Sequence, residues 1–185
     1  VFFSDVRVPA DNLVGEENRG WTCAKYLLTY ERTNIAGVGQ STAALERLKT
    51  VAARQKKHGR PLAQDPDFAA RLARVEIELA NMRTTNLRVV AAVAGGGAPG
   101  AESSMLKIRG TQIRQEITAL NRRAMGPYAR PFVPEALHDG YDAPPIGPEG
   151  ADSAAAQYFN NRKLSIFGGS NEIQKNIISK MILGL

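Results

Sequence analysis

One acidic side chain lies where helical periodicity predicts a core residue. Glu31 completes an apolar stripe whose members are three or four residues apart, namely Ala24, Leu28, Ile35 and Val38. An ionised carboxylate in an apolar environment is costly unless it is paired, hydrated or protonated. The pattern therefore predicts either a structural ion pair, which it favours by itself, or a reactive carboxylate with one exposed face.

A glycine-rich turn near the other end of the chain is the second candidate site. Residues 165–174 read SIFGGSNEIQ, with two glycines shortly before a predicted helix. Glycines let the backbone approach a ligand closely, and a helix start offers free amide hydrogens and a positive dipole end, which bind anions and polar cofactor edges. A Gly-Gly-Ser sequence before a helix is more often an ordinary turn, so both interpretations stay open.

Charge and composition limit the possible ligands. The net charge of +6 is compatible with nucleic acid, an acidic membrane or a phosphate-bearing ligand, and does not choose among them. The densest basic run, KKHGR at residues 56–60, contains no aromatic residue for base stacking and indicates a solvated turn. His58 and His138 are far apart, with no cysteine or acidic cluster at ligand spacing, and we predict no metal site.

The sequence predicts a soluble, cytoplasmic protein. No apolar run is long enough to cross a bilayer, and the first residues lack the charged and apolar regions of a signal peptide. The single cysteine, Cys23, cannot form an intrachain disulfide and is compatible with a reducing compartment. Because the chain opens on Val1, inside a strand-like pattern, we expect it to be part of a longer polypeptide.

The predicted elements begin with one short strand and one long helix. Residues 1–8 are rich in branched and aromatic side chains and favour a strand, whose partner strands are expected to lie outside this chain because no second strand is predicted. A turn-rich linker follows. The first helix is predicted from about Asn18 past Leu48, with a bend at residues 37–39, and ends by residues 58–61.

Two further long helices have clear boundary signals. Asp65 followed by Pro66 predicts a helix start, and an apolar stripe over residues 68–93 predicts a helix of about 29 residues. A third stripe covers residues 106–124 and ends before a Gly-Pro pair. Three long periodic helices predict an all-α fold, an antiparallel helix bundle with a short N-terminal strand remnant.

The last part of the chain predicts a long loop and two shorter helices. Residues 127–150 contain six prolines, a composition that indicates a functional loop or a partner contact. Asp152 or Ser153 is expected to cap a fourth helix. Asn171, with Gln174 three residues later, is expected to cap a fifth.

Taken in order, these elements resemble the C-terminal half of the acyl-CoA dehydrogenase family over essentially the whole chain. FFSDVRVPADNLVGEENRGW is similar to the last strand of the family's middle β-domain and its entry loop, LTYERTNIAG to the first C-terminal helix, and NRKLSIFGGSNEIQKNIISKMILGL to the closing flavin-contact motif. The resemblance implies that residues 1–17 end a middle β-domain and its linker, and that residues 18–185 form the bundle domain. The closest subgroup by resemblance is the large subunit of bacterial pimeloyl-CoA dehydrogenase.

The resemblance also implies a chemistry. Such enzymes take a proton from the α-carbon of an acyl-CoA thioester with a carboxylate, while a hydride leaves the β-carbon for FAD. Many keep the base in a Tyr-Glu-Gly-Thr motif, which matches residues 167–170 and sets Gly168, which cannot accept a proton, at the base position. Others place it in a helical Glu-Arg pair, which matches Glu31 and Arg32. Glu31 is the implied base, and Arg32 either assists at the substrate or forms a structural ion pair.

The implied cofactor is FAD. Family matching makes Phe167, Gly169, Ser170 and Glu172 its contacts, with Arg54 as a looser match. The implied partners are acyl-CoA, a second subunit in a homo- or hetero-oligomer (dimer or tetramer) formed through the bundle, and electron-transfer flavoprotein. Neither nucleic acid nor a membrane span is expected. Because the family's flavin lies between the middle domain and the bundle, this chain by itself is expected to be inactive.

Two other functions stay open. Residues 125–128, MGPY, stand where the family often has Gly-Gly-Asn-Gly, and together with Gly168 this favours a non-catalytic oligomerisation subunit of a heteromeric acyl-CoA dehydrogenase. A basic helical module that binds nucleic acid rests on net charge alone, and a steep loss of affinity with salt would be its signature.

Overall fold

The computed structural model is a bundle of α-helices and describes residues 1–31, 34, 36–144 and 146–185. Six α-helices account for most of this part of the chain. The predicted all-α bundle is confirmed. The predicted roles of Arg32 and of Ile35, a member of the apolar stripe, lie outside the described residues.

The longest helix begins at the predicted cap. It is the third in chain order, α3 (Pro66–Ala94), and the Asp65 carboxylate accepts a hydrogen bond of 3.0 Å from the amide of Phe68. Pro66 occupies the first helical turn, where its missing N–H costs nothing. The apolar stripe faces the core through Phe68, Val75, Leu79, Met82 and Val89. Both the start and the 29-residue length of the predicted helix are confirmed.

The central helix of the bundle is α4 (Glu102–Ala124). It packs against α3 and also against α2 (Val38–Arg54), α5 (Ala151–Asn160) and α6 (Asn171–Ile178). Its predicted apolar stripe is buried at Leu106, Gly110, Ile113, Ile117, Leu120 and Ala124. Since every later helix contacts α4, it is the element that positions the rest.

The single long first helix of the prediction is two helices. α1 (Gly20–Glu31) ends seven residues before α2 starts, and the described residues between them form turns. Ala36 lies in this connection and is 2% exposed. A Cβ atom at Gly110 of α4 would lie closer than 3.0 Å to the carbonyl oxygen of Ala36, which real Cβ atoms essentially never do. The glycine therefore allows the backbone at Ala36 to pack directly on α4.

The predicted burial of the α1 stripe is wrong for this chain. Of the α1 residues whose side chains are described, only Ala24 is half-buried; Leu28 is 49% exposed and Glu31 is exposed. Trp21 and Leu27, whose spacing puts them at the two edges of this face, are also exposed. The apolar spacing was real, but within the described part of the chain nothing covers most of that face.

The N-terminal segment forms no strand. Residues 1–17 are exposed, with one short 3-10 turn at Ala10–Asn12, because the described chain offers no partner strand to satisfy the backbone groups. The expectation of no second strand is also corrected: β1 (Lys56–Lys57) and β2 (Arg60–Pro61) pair as a two-residue antiparallel hairpin after α2. Its tip is the basic turn that the sequence indicated.

The proline-rich connection before α5 is mostly exposed and contains two 3-10 turns, Gly126–Ala129 and Pro134–Leu137. α5 is preceded by Gly150, not by a side-chain cap from Asp152 or Ser153 as expected, because these two residues already lie inside the helix. Among the described residues, no helix is both long and apolar enough to cross a membrane.

Candidate functional site

The Gly-Gly turn is exposed on the surface of the bundle and leads directly into α6. Gly168 and Gly169 have φ values of 68° and 78°, a left-handed conformation that side-chain-bearing residues rarely adopt. The side-chain amide of Gln174 donates to the carbonyl of Gly168 at 3.0 Å, and a Cβ atom on Gly169 would lie 2.6 Å from that amide nitrogen. The turn therefore presents bare backbone to whatever lies above it.

The cap of α6 is one residue earlier than expected. Ser170, not Asn171, is the N-cap, and its hydroxyl accepts a hydrogen bond of 3.3 Å from the amide of Ile173. Gln174 bonds the turn rather than the helix start. This shift leaves the Asn171 side chain free to bond elsewhere.

The chain entering the turn is attached to α4. A 3-10 turn, Asn161–Ser165, follows α5, and the Arg162 guanidinium donates to the carbonyl of Gln115 at 2.9 Å. The Gln115 side chain in return donates to the carbonyl of Asn161 at 3.2 Å. Arg162 also lies over the Tyr158 ring, 4.5 Å from its centroid. These contacts fix the position of the residues just before Phe167.

The chain leaving the turn is attached to α4 one and two helical turns before Gln115. The Lys107 ammonium donates to Asn171 Oδ1 at 3.0 Å, and Asn171 Nδ2 donates to the Thr111 hydroxyl at 3.2 Å. Lys107 is only 2% exposed, a rare environment for a lysine. The residues before and after the turn are thus both hydrogen-bonded to α4.

The pKa values of Lys107 and Glu172, at this end of the site, are both shifted from their ordinary values. Burial lowers the pKa of Lys107, and the attraction of Glu172 acts in the opposite direction. A hydrogen bond from its own backbone N–H, followed by one from the Ser170 hydroxyl, lowers the pKa of Glu172. Glu172 is therefore an exposed carboxylate that can accept hydrogen bonds in the first turn of α6.

The structure brings four of the predicted cofactor contacts together and leaves one apart. Phe167, Gly169, Ser170 and Glu172 form the turn and the start of α6. Arg54 lines a separate cavity of about 530 Å³ between α2, α4 and α5, whose lining includes no residue of the turn. There, the Arg54 guanidinium lies 3.9 Å from the Glu149 carboxylate, and both side chains are mostly exposed.

Glu31 is the last residue of α1, and its carbonyl accepts a hydrogen bond of 3.2 Å from the amide of Asn34. Five residues after Glu31, Ala36 rests on Gly110. Gly110 lies between Lys107 and Thr111, so one turn of α4 supports both the connection that follows Glu31 and the start of α6. Ala36 and the start of α6 are therefore attached to the same short segment of α4.

Sequence reasoning missed Lys107. The signal that could have found it is a polar row at four-residue spacing, Ser103, Lys107 and Thr111, beside the apolar stripe of α4. A lysine at the edge of an apolar stripe usually extends into solvent. All three residues are buried, and Lys107 and Thr111 bond Asn171 at the start of α6.

These features define a helical bundle domain that carries an exposed glycine turn on its central helix. The family model described as "Acyl-CoA dehydrogenase, C-terminal domain" matches residues 18–183. The chain therefore belongs to the acyl-CoA dehydrogenase family, and the resemblance noted from the sequence is confirmed.

Relatives and solved structures agree with this assignment. The chain is 30% identical to the acyl-CoA dehydrogenase IpdE1 of Mycobacterium tuberculosis over 185 residues, covering all of this chain and 43% of that protein. It superposes on an acyl-CoA dehydrogenase from Geobacillus kaustophilus with a TM-score of 0.75 at 26% identity, covering 100% and 44% of the two chains. The ChsE4-ChsE5 complex from Mycobacterium tuberculosis gives 0.74 at 26% identity, covering 100% and 45%. The chain thus spans less than half the length of these proteins.

Proposed function

We propose that this chain is the C-terminal bundle domain of an FAD-dependent acyl-CoA dehydrogenase, which oxidises the α,β-bond of an acyl-CoA thioester. The observation that carries the proposal is the exposed Gly-Gly turn, fixed at both ends to α4, in a chain of this family. The bare backbone of the turn and the first amides of α6 fit the polar edge of a flavin. When bound, FAD would accept the hydride that leaves the substrate.

Four residues of the turn would hold the cofactor. The amide groups of Gly169 and Ser170 would donate to it, and Phe167, which is half-exposed, would offer an apolar surface to the ring system. The Glu172 carboxylate would accept from a hydroxyl group. Arg54, in its separate cavity, would contact a flavin held by a second copy of the domain rather than the one at the turn.

Glu31 would act as the general base. Gly168, at the position where many members of the family carry the base, has no side chain to accept a proton. Glu31 is exposed at the end of α1, and its connection to α4 rests on the same helical turn that supports the start of α6. In the complete protein, the other domains and the substrate would have to cover this exposed side chain on the side away from its reacting oxygen. Arg32 would assist at the substrate.

The proposed partners follow from the exposed apolar surface and from the family. Trp21 and Leu27 on α1 expose apolar area that other domains or subunits of the complete protein would cover. The proposed assembly is a homo- or hetero-oligomer formed through the bundle, as the two-component name of the ChsE4-ChsE5 complex illustrates for one structural neighbour. Electron-transfer flavoprotein is the proposed electron acceptor, and a cytoplasmic location is proposed with it.

The second candidate function is a non-catalytic subunit of a heteromeric enzyme. Gly168 at the usual base position and the MGPY sequence at residues 125–128 favour it, because both replace residues that many members use. Residues Gly126–Ala129 form a 3-10 turn directly after Met125, which is buried and lines the same cavity as Arg54.

The test is anaerobic reduction of the flavin in the full-length protein. Purified protein is mixed with a series of acyl-CoA thioesters of different chain length, including some that end in a carboxylate, and the flavin absorbance is followed. The proposal predicts bleaching by at least one thioester and formation of the enoyl-CoA product. Stable flavin binding without bleaching by any thioester would favour the non-catalytic subunit, and absence of bound flavin would contradict the proposal.

A further inference from the structure

The polar row on α4 is buried where an apolar contact would be expected. Ser103, Lys107 and Thr111 lie four residues apart on the same side of α4 and are 1%, 2% and 6% exposed. Burying an ammonium group costs free energy unless it is paired or well hydrogen-bonded. An apolar side chain of the same length at position 107 would pack without that cost, so packing alone does not account for the lysine.

Two members of the row, Lys107 and Thr111, bond the same residue of α6, whereas the Ser103 hydroxyl has no hydrogen-bond partner in the described part of the chain. Within the described part of the chain, Asn171 Oδ1 is the one acceptor of the Lys107 ammonium, at 3.0 Å. The Thr111 hydroxyl donates to the carbonyl of Ile108 at 2.8 Å and accepts from Asn171 Nδ2. Asn171 is therefore held by a donor and an acceptor at once, which fixes the orientation of its amide.

Asn171 is the first residue of α6 and directly follows the capped turn. The other end of the turn is fixed to the Gln115 backbone through Arg162. Since α4 is one continuous helix, the separation of these two attachments is constant. A change at the Asn171 attachment would therefore move the glycines and the first amides of α6 relative to the rest of the bundle.

We propose that Lys107 is a positioning residue that, through its hydrogen bond to Asn171, fixes the Gly168–Gly169–Ser170 turn in the conformation that receives the cofactor. The inference rests on the proposed function for the identity of that cofactor, but not for the ordering of the turn. The same bond places the Lys107 charge close enough to attract the Glu172 carboxylate on the neighbouring position of α6.

The test uses the full-length protein and three substitutions at the attachment. Lys107→Met keeps an unbranched side chain, one atom shorter, and removes the donor and the charge. Asn171→Leu removes the acceptor, and Asn171→Asp keeps an acceptor for Lys107. Lys163→Met is the matched control, because Lys163 is an exposed lysine just before the turn. Two quantities are measured: hydrogen exchange of amides 167–173, and the dissociation constant of FAD.

Lys107→Met and Asn171→Leu are each expected to accelerate exchange of the turn amides and weaken FAD binding by about tenfold, as expected for losing a hydrogen bond to a charged group. Combining them should add little, because both remove the same bond. Asn171→Asp and Lys163→Met should stay within about twofold of the wild type by both measures. The thermal midpoint of Lys107→Met should be unchanged or higher, since a buried charge is replaced by an apolar side chain.

A purely structural lysine would give the reverse pattern. If Lys107→Met changes only the thermal midpoint and leaves turn exchange and the FAD dissociation constant within twofold of the wild type, the positioning role is wrong. If the wild-type protein binds no FAD, the proposed function fails, while the exchange of the turn amides still decides the role of Lys107.

Discussion

At the scale of single residues, Gly110 decides how the connection after α1 meets the bundle. It occupies a buried position of the α4 stripe, where a larger apolar residue would normally pack. The carbonyl of Ala36 takes that space, and Ala36 is itself buried. Because Gly110 has no side chain, the backbones at Ala36 and Gly110, which are far apart in sequence, can pack directly against each other.

Gly110→Ala should destabilise the fold although alanine favours helix formation. The added methyl group would lie closer than 3.0 Å to the backbone of Ala36, and a backbone atom cannot move aside as a flexible side chain can. The expected loss is about 1–3 kcal/mol, the usual range for overpacking. Urea unfolding of the chain measures it.

Gly39→Ala is the matched control for this substitution. A Cβ atom on Gly39, in the first turn of α2, would meet no heavy atom within 4 Å. Its stability should be equal to or slightly above that of the wild type. Equal stability of the two variants would show that the contact between Ala36 and Gly110 is not tight in solution.

The sequence predicted some of these residue roles and missed others for a physical reason. Asp65 was predicted as a cap because an acceptor before a proline and an apolar stripe is a local signal, and local geometry satisfies it. The cap of α6 was assigned to Asn171 instead of Ser170 because both residue types cap helices. Lys107 was missed because its burial depends on α6, which is 64 positions away in the chain at Asn171.

At the scale of elements, an ion pair joins the start of α3 to the hairpin that precedes it. The Lys57 ammonium on β1 lies 2.6 Å from the Asp65 carboxylate, which also caps α3. The hydrogen bond from Lys57, and next the one from the amide of Phe68, lower the pKa of Asp65. One carboxylate thus joins two elements and is stabilised in its charged form.

This pair makes a defined contribution to the pH dependence of stability. Because the folded-state pKa of Asp65 is below its ordinary value, the stabilisation is present above the unfolded pKa, which is about 3.9, and is lost as pH falls through the folded pKa. Asp65→Ala should therefore lower the free energy of unfolding at pH 6, and its difference from the wild type should shrink in acid.

Urea titrations of both proteins at pH 6 and near pH 2 measure that difference. Asp139→Ala, which removes a carboxylate from the exposed proline-rich connection, is the control and should show no such change. A difference between wild type and Asp65→Ala that is the same at both pH values would mean that the charge of Asp65 does not contribute.

Two of the long helices, α3 and α4, were predicted well because of their boundary signals, and the long first helix was not. α3 and the end of α4 have caps, glycines or prolines at their limits, whereas the stripe from Ala24 to Val38 continues across the break between α1 and α2. A stripe reports spacing but not what covers it. The strand at residues 1–8 needs a partner to form, and the two-residue hairpin after α2 is too short to produce a pattern.

At the scale of the whole molecule, the bundle follows from long periodic helices with apolar stripes. The bundle was predictable because three helices that each carry an apolar stripe are stabilised by burying those stripes against one another. The site was only partly predictable. Its turn is one contiguous sequence, but its support comes from Lys107, Thr111 and Gln115 on α4. The spacing of Lys107 and Thr111 shows that they share one side of α4, but not that α6 packs there. Arg54 belongs to a different cavity, so resemblance alone did not place it.

The measurement that bears most directly on the proposed chemistry is the rate of flavin reduction in the full-length protein carrying Glu31→Gln. Glutamine keeps the shape of the side chain and cannot accept the proton, so flavin reduction by a good acyl-CoA substrate should slow by at least about 100-fold, the scale of general-base catalysis. FAD should stay bound, and Glu17→Gln, an exposed acid in the N-terminal linker, should react like the wild type. Reduction of Glu31→Gln within twofold of the wild-type rate would contradict the account.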